Sequence, residues 1–235
     1  MERLDKLLSR DGKLSRRDAQ KLIRSGAVQV DGTVIKRPEH KLDPDQSKIT
    51  VNGIEHNLSE HVYLMMNKPA GVVSATEDKL SRTVIDLVPE HLRRRGLAPA
   101  GRLDKDSVGL LLLTDDGDFA HRVISPRSKV IKRYFVRLDG DIDDSDIKSF
   151  EDGLALSDGF LCMPAKLYKT GDKCAEVEIC EGKFHQVKRM FKARGLTVTY
   201  LKRLSIGGLR LDETLAEGES RELSKNEKDV IFIGI

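Results

Sequence analysis

An aspartate and an arginine, two residues apart, stand on a glycine-introduced loop that runs into an apolar stretch. They are Asp104 and Arg102, and the apolar stretch is Leu110 to Leu113. A carboxylate fixed beside a rigid strand could act as a nucleophile that the nearby positive charge keeps ionised. It could also be one half of an ion pair that closes the loop. The residues by themselves favour this structural role.

Two basic segments later in the chain could provide partners for that carboxylate. Residues 122–137 contain six lysines and arginines and residues 183–203 contain seven, and neither segment contains an acidic residue. Local positive patches on a balanced chain suit a polyanion such as nucleic acid. A run of charges is more often a solvated surface, so the composition does not decide between these interpretations.

The residues around these segments predict the elements that would hold them. Strands are expected at residues 62–66, 72–75, 110–113, 133–138, 175–179 and 196–201. A short helix is expected at 83–88, ended by Pro89, and a basic helix at 184–194, ended by Gly195. Asp116-Gly117, which follows the apolar strand, is typical of a hairpin turn. We therefore expect a larger α+β domain with a mixed, mainly antiparallel sheet, flanking helices and a central cleft that carries Asp104.

The first 58 residues predict a separate small domain of two helices and a sheet. A short helix over residues 4–8, ended by Asp11-Gly12, precedes a second helix between a capping Ser15 and Gly26. Two dipeptides typical of tight hairpins follow, Asp31-Gly32 and Asn52-Gly53. The chain is therefore divided into an N-terminal domain, 1–58, which ends in a polar linker near 55–60, and a larger domain, 59–235.

Composition places the chain among ordinary folded proteins. Its 235 residues are 39% hydrophobic and 34% charged, with a net charge of +3, which excludes a disordered chain. No apolar run reaches the roughly 18 residues of a membrane span, and the N-terminus lacks the apolar stretch of a signal peptide. We expect a cytoplasmic protein without a membrane partner. The three cysteines lack the close spacing of a zinc site and are expected to be free thiols: Cys162, Cys174 and Cys180.

The small domain resembles an RNA-binding module that a small-subunit ribosomal protein, tyrosyl-tRNA synthetases and many RNA-modifying enzymes share. The matching residues include Arg3-Leu4-Asp5, Ser15-Arg16-Arg17 and Val30-Asp31-Gly32. Residues 1–50 hold 12 basic and 8 acidic residues, a net charge of +4. The resemblance implies that the second helix contacts RNA phosphates through Arg16, Arg17, Lys21 and Arg24. The alternative is a helix face that serves solubility.

The larger domain resembles the pseudouridine synthases of the ribosomal small subunit pseudouridine synthase A family. Residues 101–117 are very similar to that family's Gly-Arg-Leu-Asp signature, Lys132-Arg133-Tyr134 to its Lys-x-Tyr, and residues 182–190 to its Gly-Arg-x-His-Gln-Val-Lys-Arg-Met. Residues 64–74 are similar to its Asn-Lys-Pro-x-Gly segment. Lys183 stands where arginine is usual and Ser107 replaces a common threonine. Because Lys183 keeps the charge but loses the bidentate fork, this departure concerns a detail of RNA contact.

The resemblance implies a division of roles. Asp104 would be the nucleophile, and Lys188, or alternatively Arg102, would keep it ionised. Tyr134 would stack on a flipped uracil and offer its hydroxyl near C5, although a tyrosine of the core is the alternative. For His185 a purely structural hydrogen bond is nearly as well supported as an RNA contact. The further RNA contacts would come from Arg102, Lys132, Lys183, His185, Gln186 and Arg189.

Together these implications predict an isomerase that converts uridine to pseudouridine in 16S ribosomal RNA or in a small-subunit assembly intermediate. The carboxylate could add to C6 of the ring, attack C1′ or assist loss of the 2′ hydrogen, and the sequence leaves all three routes open. No metal or organic cofactor is expected, because the reaction is an isomerisation and the sequence has no clustered ligand set. We expect a monomer. The alternatives are the same reaction on 23S ribosomal RNA and a noncatalytic RNA-binding assembly factor.

Overall fold

The structure, a computed structural model, describes residues 1–10, 14–44, 47–56 and 61–233. The chain forms two compact units, Met1–His61 and Val62–Ile235. The predicted end of the first helix at Asp11-Gly12 and residues 57–60 of the predicted linker lie outside the described residues. Within the described ranges, no helix is long and apolar enough to cross a membrane.

The first unit contains two helices and small antiparallel sheets, as the sequence predicts. The helices are α1 (Leu4–Leu8) and α2 (Arg16–Arg24). The strands are β1 (Glu2–Arg3), β2 (Val28–Val30), β3 (Thr33–Val34), β4 (Lys41–Leu42), β5 (Ile49–Val51) and β6 (Ile54–His56). β1 pairs with β4, and the other strands form a sheet in the order β3-β2-β5-β6. Both predicted hairpin turns have positive φ at both central residues, the conformation that a type I′ turn requires.

A buried carboxylate joins the two helices of this unit. The Ser15 hydroxyl accepts a hydrogen bond from the Asp18 N–H and caps α2. Asp5 of α1 is fully buried, and it accepts hydrogen bonds from the side chains of Arg3, Gln20 and Arg16. The bond from Arg3, against the opposing effect of burial, holds the pKa of Asp5 well below its usual range. Arg16 therefore has a structural role within the unit.

The second unit is built on one large sheet with helices beside it. The helices are α3 (Val84–Leu87), α4 (Gly117–Ile124), α5 (Asp144–Asp152), α6 (Gln186–Ala193) and α7 (Lys225–Val230). The strands are β7 (Tyr63–Lys68), β8 (Ala98–Pro99), β9 (Val108–Thr114), β10 (Lys132–Leu138), β11 (Lys166–Gly171), β12 (Cys174–Ile179), β13 (Val198–Ile206), β14 (Leu209–Arg210) and β15 (Ser220–Glu222). The sheet order is β11-β12-β10-β13-β9-β7-β15, with β14 on β13 and β8 on β9.

The predicted fold class is confirmed. Among the described residues, every strand pair of the large sheet is antiparallel except β9 with β13, which run parallel. The alternating residues of β9 pack into two separate cores. Leu111 and Leu113 join the core that contains Tyr134, and Leu110 and Leu112 join the core on the other face. A strand that is buried on both faces explains why its sequence is continuously apolar.

Two local predictions were wrong. Residues 72–75 do not form a strand, and Val73 makes an isolated bridge to Thr83 instead. Asp116-Gly117 does not turn a hairpin, because the Asp116 side chain accepts a hydrogen bond from the Phe119 N–H and caps α4. An aspartate before apolar residues at helical spacing starts a helix as readily as it starts a turn. The last predicted strand, 196–201, is observed at Val198–Ile206.

Candidate active site

Hydrogen bonds to buried groups hold the loop that carries Asp104. The Leu103 N–H donates to the Ser74 hydroxyl at 3.1 Å, and that hydroxyl donates to the Leu103 carbonyl at 2.8 Å. The Ser107 N–H donates to the Asp104 carbonyl at 3.1 Å. These bonds leave the Asp104 carboxylate 23% exposed at a cavity of about 60 Å³ that Tyr134 also lines.

A fully buried lysine supports the same loop, and the sequence did not identify it as part of the site. Lys68 ends β7, and its ammonium donates to the carbonyls of Ser107 at 2.8 Å, Pro69 at 3.0 Å and Lys105 at 3.4 Å. Burial lowers the pKa of Lys68 to about 8, against the opposing charges of Asp106 and Asp104. The signal was present, because strand alternation places Lys68 on the buried face with Leu64 and Met66.

Lys188 of α6 is the cation that faces Asp104. Its ammonium lies 3.1 Å from Asp104 Oδ2 and 2.6 Å from Asp106 Oδ1. Burial disfavours its charged form, but the hydrogen bonds to Asp106 and Asp104 outweigh that effect and raise the pKa of Lys188 above its ordinary value. Arg102 is exposed, and within the described residues no ion pair joins it to Asp104. The geometry therefore favours Lys188 over Arg102 as the partner.

His185 approaches Asp104 from the start of α6. Its Nε2 lies 3.4 Å from Asp104 Oδ1, and its backbone is left-handed, with φ 50° and ψ 30°. A non-glycine residue in that region is strained, and such residues cluster at functional sites. The next residue, Gln186, is buried. Its side chain accepts from the Lys183 N–H and donates to Glu181, so it fixes the start of the helix and does not lie at the surface.

Tyr134 lies on β10, and the residue is 7% exposed. The buried Arg203 of β13 donates through Nη1 to the Tyr134 hydroxyl at 3.4 Å and through Nε to the Leu110 carbonyl at 2.7 Å. The sequence did not single out Arg203 within its basic segment. Arg203 is positioned by the parallel pairing of β13 with β9, in which it lies beside Gly109. The two backbones are so close that a Cβ at Gly109 would lie 2.4 Å from the Arg203 carbonyl oxygen.

Lys132 differs from the surface contact that the resemblance implied. Its residue is 6% exposed, and within the described chain its Nζ has no hydrogen-bond partner. Burial and then the charge of Arg203 lower its pKa to about 8. On β10, strand alternation puts Lys132 on the interior face together with Tyr134. The phosphate contact predicted for Lys132 therefore has no support from its position.

The other expected RNA-binding residues are accessible to different degrees. Lys183 is exposed and Arg189 is paired with Asp158. In the first unit, the α2 side chains form an exposed cationic face, Arg16, Arg17, Lys21 and Arg24. Lys21 is also paired with Asp18 at 3.4 Å. The described residues contain no group of acidic, histidine and cysteine side chains that could hold a metal ion. The side chains at the cavity and beside it offer a carboxylate, an ammonium, an imidazole and a phenol.

Comparison with protein families supports both sequence resemblances. The model described as RNA pseudouridylate synthase matches residues 62–193, and the S4 domain model matches residues 2–48. The first match covers more than half of the chain. It includes the Asp104 loop, Tyr134 and Lys188.

Known proteins are similar to this chain over nearly their whole length. An uncharacterised RNA pseudouridine synthase of Bacillus subtilis, YtzG, is 48% identical over 96% of both chains. The ribosomal small subunit pseudouridine synthase A of Vibrio cholerae is 42% identical over 96% of this chain and 97% of that protein. A crystal structure of a pseudouridylate synthase is 36% identical and matches with a TM-score of 0.69, over 98% of this chain and 100% of that chain.

Proposed function

The chain belongs to the RNA pseudouridylate synthase family, and on that premise we propose that it isomerises a uridine of 16S ribosomal RNA with Asp104 as the nucleophile. Membership rests on the family match and on relatives that align along almost the entire chain. The chain is thus an isomerase that makes pseudouridine in RNA. The choice of small-subunit RNA follows the name of the Vibrio cholerae relative.

The arrangement around Asp104 suits this isomerisation, which keeps every atom of the nucleotide. The N1–C1′ bond breaks, the uracil turns and C5 bonds to C1′, while one proton leaves C5 and one is taken up at N1. A carboxylate nucleophile can hold the separated fragment covalently between these steps. The observation that carries the proposal is the Asp104 carboxylate, which Lys188 holds at 3.1 Å in a cavity that it shares with Tyr134.

We assign supporting roles to Lys188 and Tyr134. Lys188 holds the Asp104 carboxylate in position through the ion pair at 3.1 Å, since opposite charges at this distance attract each other. Tyr134 offers a ring for stacking on the displaced uracil and a hydroxyl near C5. Arg203 supports that role by fixing the hydroxyl from the protein interior.

RNA contacts would come from the accessible cations. These are the α2 face of the first unit and, near the cavity, Arg102 and Lys183, which are both exposed. When cations of the protein neutralise RNA phosphates, counterions are released, so RNA binding should weaken steeply as the salt concentration rises.

We also propose that the enzyme acts as a monomer, because one chain supplies Asp104, Tyr134 and Lys188. A dimer in sedimentation equilibrium would contradict this.

The test is pseudouridine formation on 16S transcripts and on partly assembled small subunits. We compare the wild type with Asp104→Asn and with a matched control, Asp106→Asn, because Asp106 contacts the same lysine but is 74% exposed. The wild type and the control should form product, and Asp104→Asn should bind RNA without forming it. Activity retained by Asp104→Asn would refute the nucleophile. A wild type that is inactive on 16S but active on 23S RNA would move the substrate to the large subunit.

A further inference from the structure

Phe184 is an exposed aromatic residue beside the carboxylate centre. It is 67% exposed, and it lies between Lys183 and His185 in the chain. Its ring stacks on the His185 ring, with 3.8 Å between the ring centroids and 16° between the planes. His185 in turn contacts the Asp104 carboxylate at 3.4 Å. The two rings therefore form a stack beside Asp104, in which His185 contacts the carboxylate and Phe184 is exposed to solvent.

The backbone of His185 holds this pair of rings in place. Its left-handed conformation is costly for a residue with a Cβ and is retained where the surrounding structure requires it. Just after it, Gln186 is anchored to Glu181 and to the Lys183 N–H, which fixes the turn from both sides. Single exposed apolar side chains are common on protein surfaces. An exposed ring stacked on a strained histidine at an active carboxylate is a more specific arrangement.

We propose that the Phe184 and His185 ring pair is a stacking platform for the nucleobase adjacent to the target uridine. The inference rests on the proposed function, because it concerns the RNA of that reaction. A uridine that leaves its stack to reach Asp104 leaves the neighbouring base with one uncovered face. An aromatic ring can cover that face whatever the base, since every base presents a π-face. Lys183, exposed next to Phe184, supplies positive charge for the adjoining phosphate.

The platform predicts a loss of RNA affinity when the ring is removed. Phe184→Ala should raise KM and the dissociation constant about tenfold, which is within the range measured for base–aromatic stacking. Its kcat should stay within about twofold, because the contact is the same in the ground state and the transition state. Phe184→Tyr should restore both constants. As a matched control, Tyr168→Ala removes another exposed ring, 40% exposed, on the edge strand β11, and it should change neither.

A double-mutant cycle identifies the base. The uridine that the wild type modifies is first located in the ribosomal RNA that it acts on, and RNA fragments that contain this uridine are then made with an abasic nucleotide on its 5′ or its 3′ side. An abasic site at one of these positions should weaken wild-type binding as much as Phe184→Ala does, and the two changes together should add nothing further. Fully additive effects at both positions, unchanged affinity in Phe184→Ala, or no rescue by tyrosine would overturn the platform. Because the fragments come from whichever ribosomal RNA the wild type modifies, activity on 23S RNA alone would refute the proposed 16S substrate, whereas unchanged affinity in Phe184→Ala would refute only the platform.

Discussion

Replacing Lys132 with methionine should stabilise the Val62–Ile235 unit at neutral pH. Lys132 is 6% exposed, its Nζ lacks a partner among the described residues, and the charge of Arg203 adds to the cost of burial. Methionine keeps a flexible chain of similar length and removes the charge. The substitution therefore tests whether the buried ammonium of Lys132 lowers the free energy of unfolding.

The magnitude follows from the pKa of Lys132. A decrease from 10.5 to about 8 corresponds to an upper limit of about 3 kcal/mol of destabilisation by the protonated form. The folded pKa lies below the unfolded one, so this cost is complete below the folded value. It declines as the pH rises from about 8 and is absent above about 10.5. The advantage of Lys132→Met should therefore be largest at neutral pH and small at high pH.

The assay is urea unfolding followed by circular dichroism at neutral pH and at about pH 10, with Lys192→Met as the control for an exposed lysine on α6. Lys132→Met should gain about 1 to 3 kcal/mol at neutral pH, and less than about 1 kcal/mol at the higher pH. Equal or lower stability at neutral pH would show that Lys132 has a favourable partner and would refute the reasoning. Pseudouridine formation by the same variant separates a role in the reaction from its effect on stability.

The ion pair at the candidate nucleophile gives a second prediction: Lys188→Met should lower kcat by roughly 100-fold, the usual cost of losing one preorganised charged contact. As the control, Asp106→Asn should change kcat less than about threefold, because Asp106 is 74% exposed and its charge is well screened by solvent. Similar losses of kcat in Lys188→Met and Asp106→Asn would argue against Lys188 as the partner of the nucleophile. The close approach of β9 to β13 gives a third prediction: Gly109→Ala should lower the free energy of unfolding by more than about 2 kcal/mol. The new Cβ would overlap the Arg203 carbonyl, and the backbone of Gly109 has a positive φ that strains a residue with a Cβ. Gly117→Ala, which meets no atom within 4 Å, is its control, and equal melting temperatures would contradict the packing argument.

The sequence correctly predicted the elements in which a residue type suits only one local structure. Ser15 caps α2 and the Asn52-Gly53 turn closes a hairpin, because each residue type satisfies a specific backbone requirement. Asp116 was misassigned because aspartate suits a turn and a helix start equally well. The parallel contact between β9 and β13 joins residues distant in the chain, and periodicity carries no information about which strands become neighbours.

The candidate site was predicted in part, and through resemblance more than through physics. Asp104 and Lys188 were named from their motifs, and the structure brings them within 3.1 Å. Lys68 and Arg203 were missed as parts of the site, because a basic residue in a sequence suggests a surface. Alternation along β7 could have indicated that Lys68 is buried, whereas the burial of Arg203 depends on the pairing of β13 with β9, which joins residues distant in the chain.

Several buried polar atoms that lack partners in the described part of the chain lie around the candidate active site, an observation that is independent of sequence resemblance. Within the described residues, six buried side-chain atoms lack a hydrogen-bond partner, and three of them belong to Ser107, Lys132 and Arg203. Ser107 lines the cavity with Tyr134, Lys132 stands two residues from Tyr134, and Arg203 contacts its hydroxyl. Lys68 is a useful contrast, because burial lowers its pKa to about 8 as well, yet three carbonyls accept its hydrogen bonds. The lowered pKa therefore reflects burial in both lysines and does not distinguish them. The hydrogen bonds do: Lys68 is fully paired and has a structural role, whereas polar atoms around Tyr134 are buried without partners. Buried polar groups without partners call for a functional explanation.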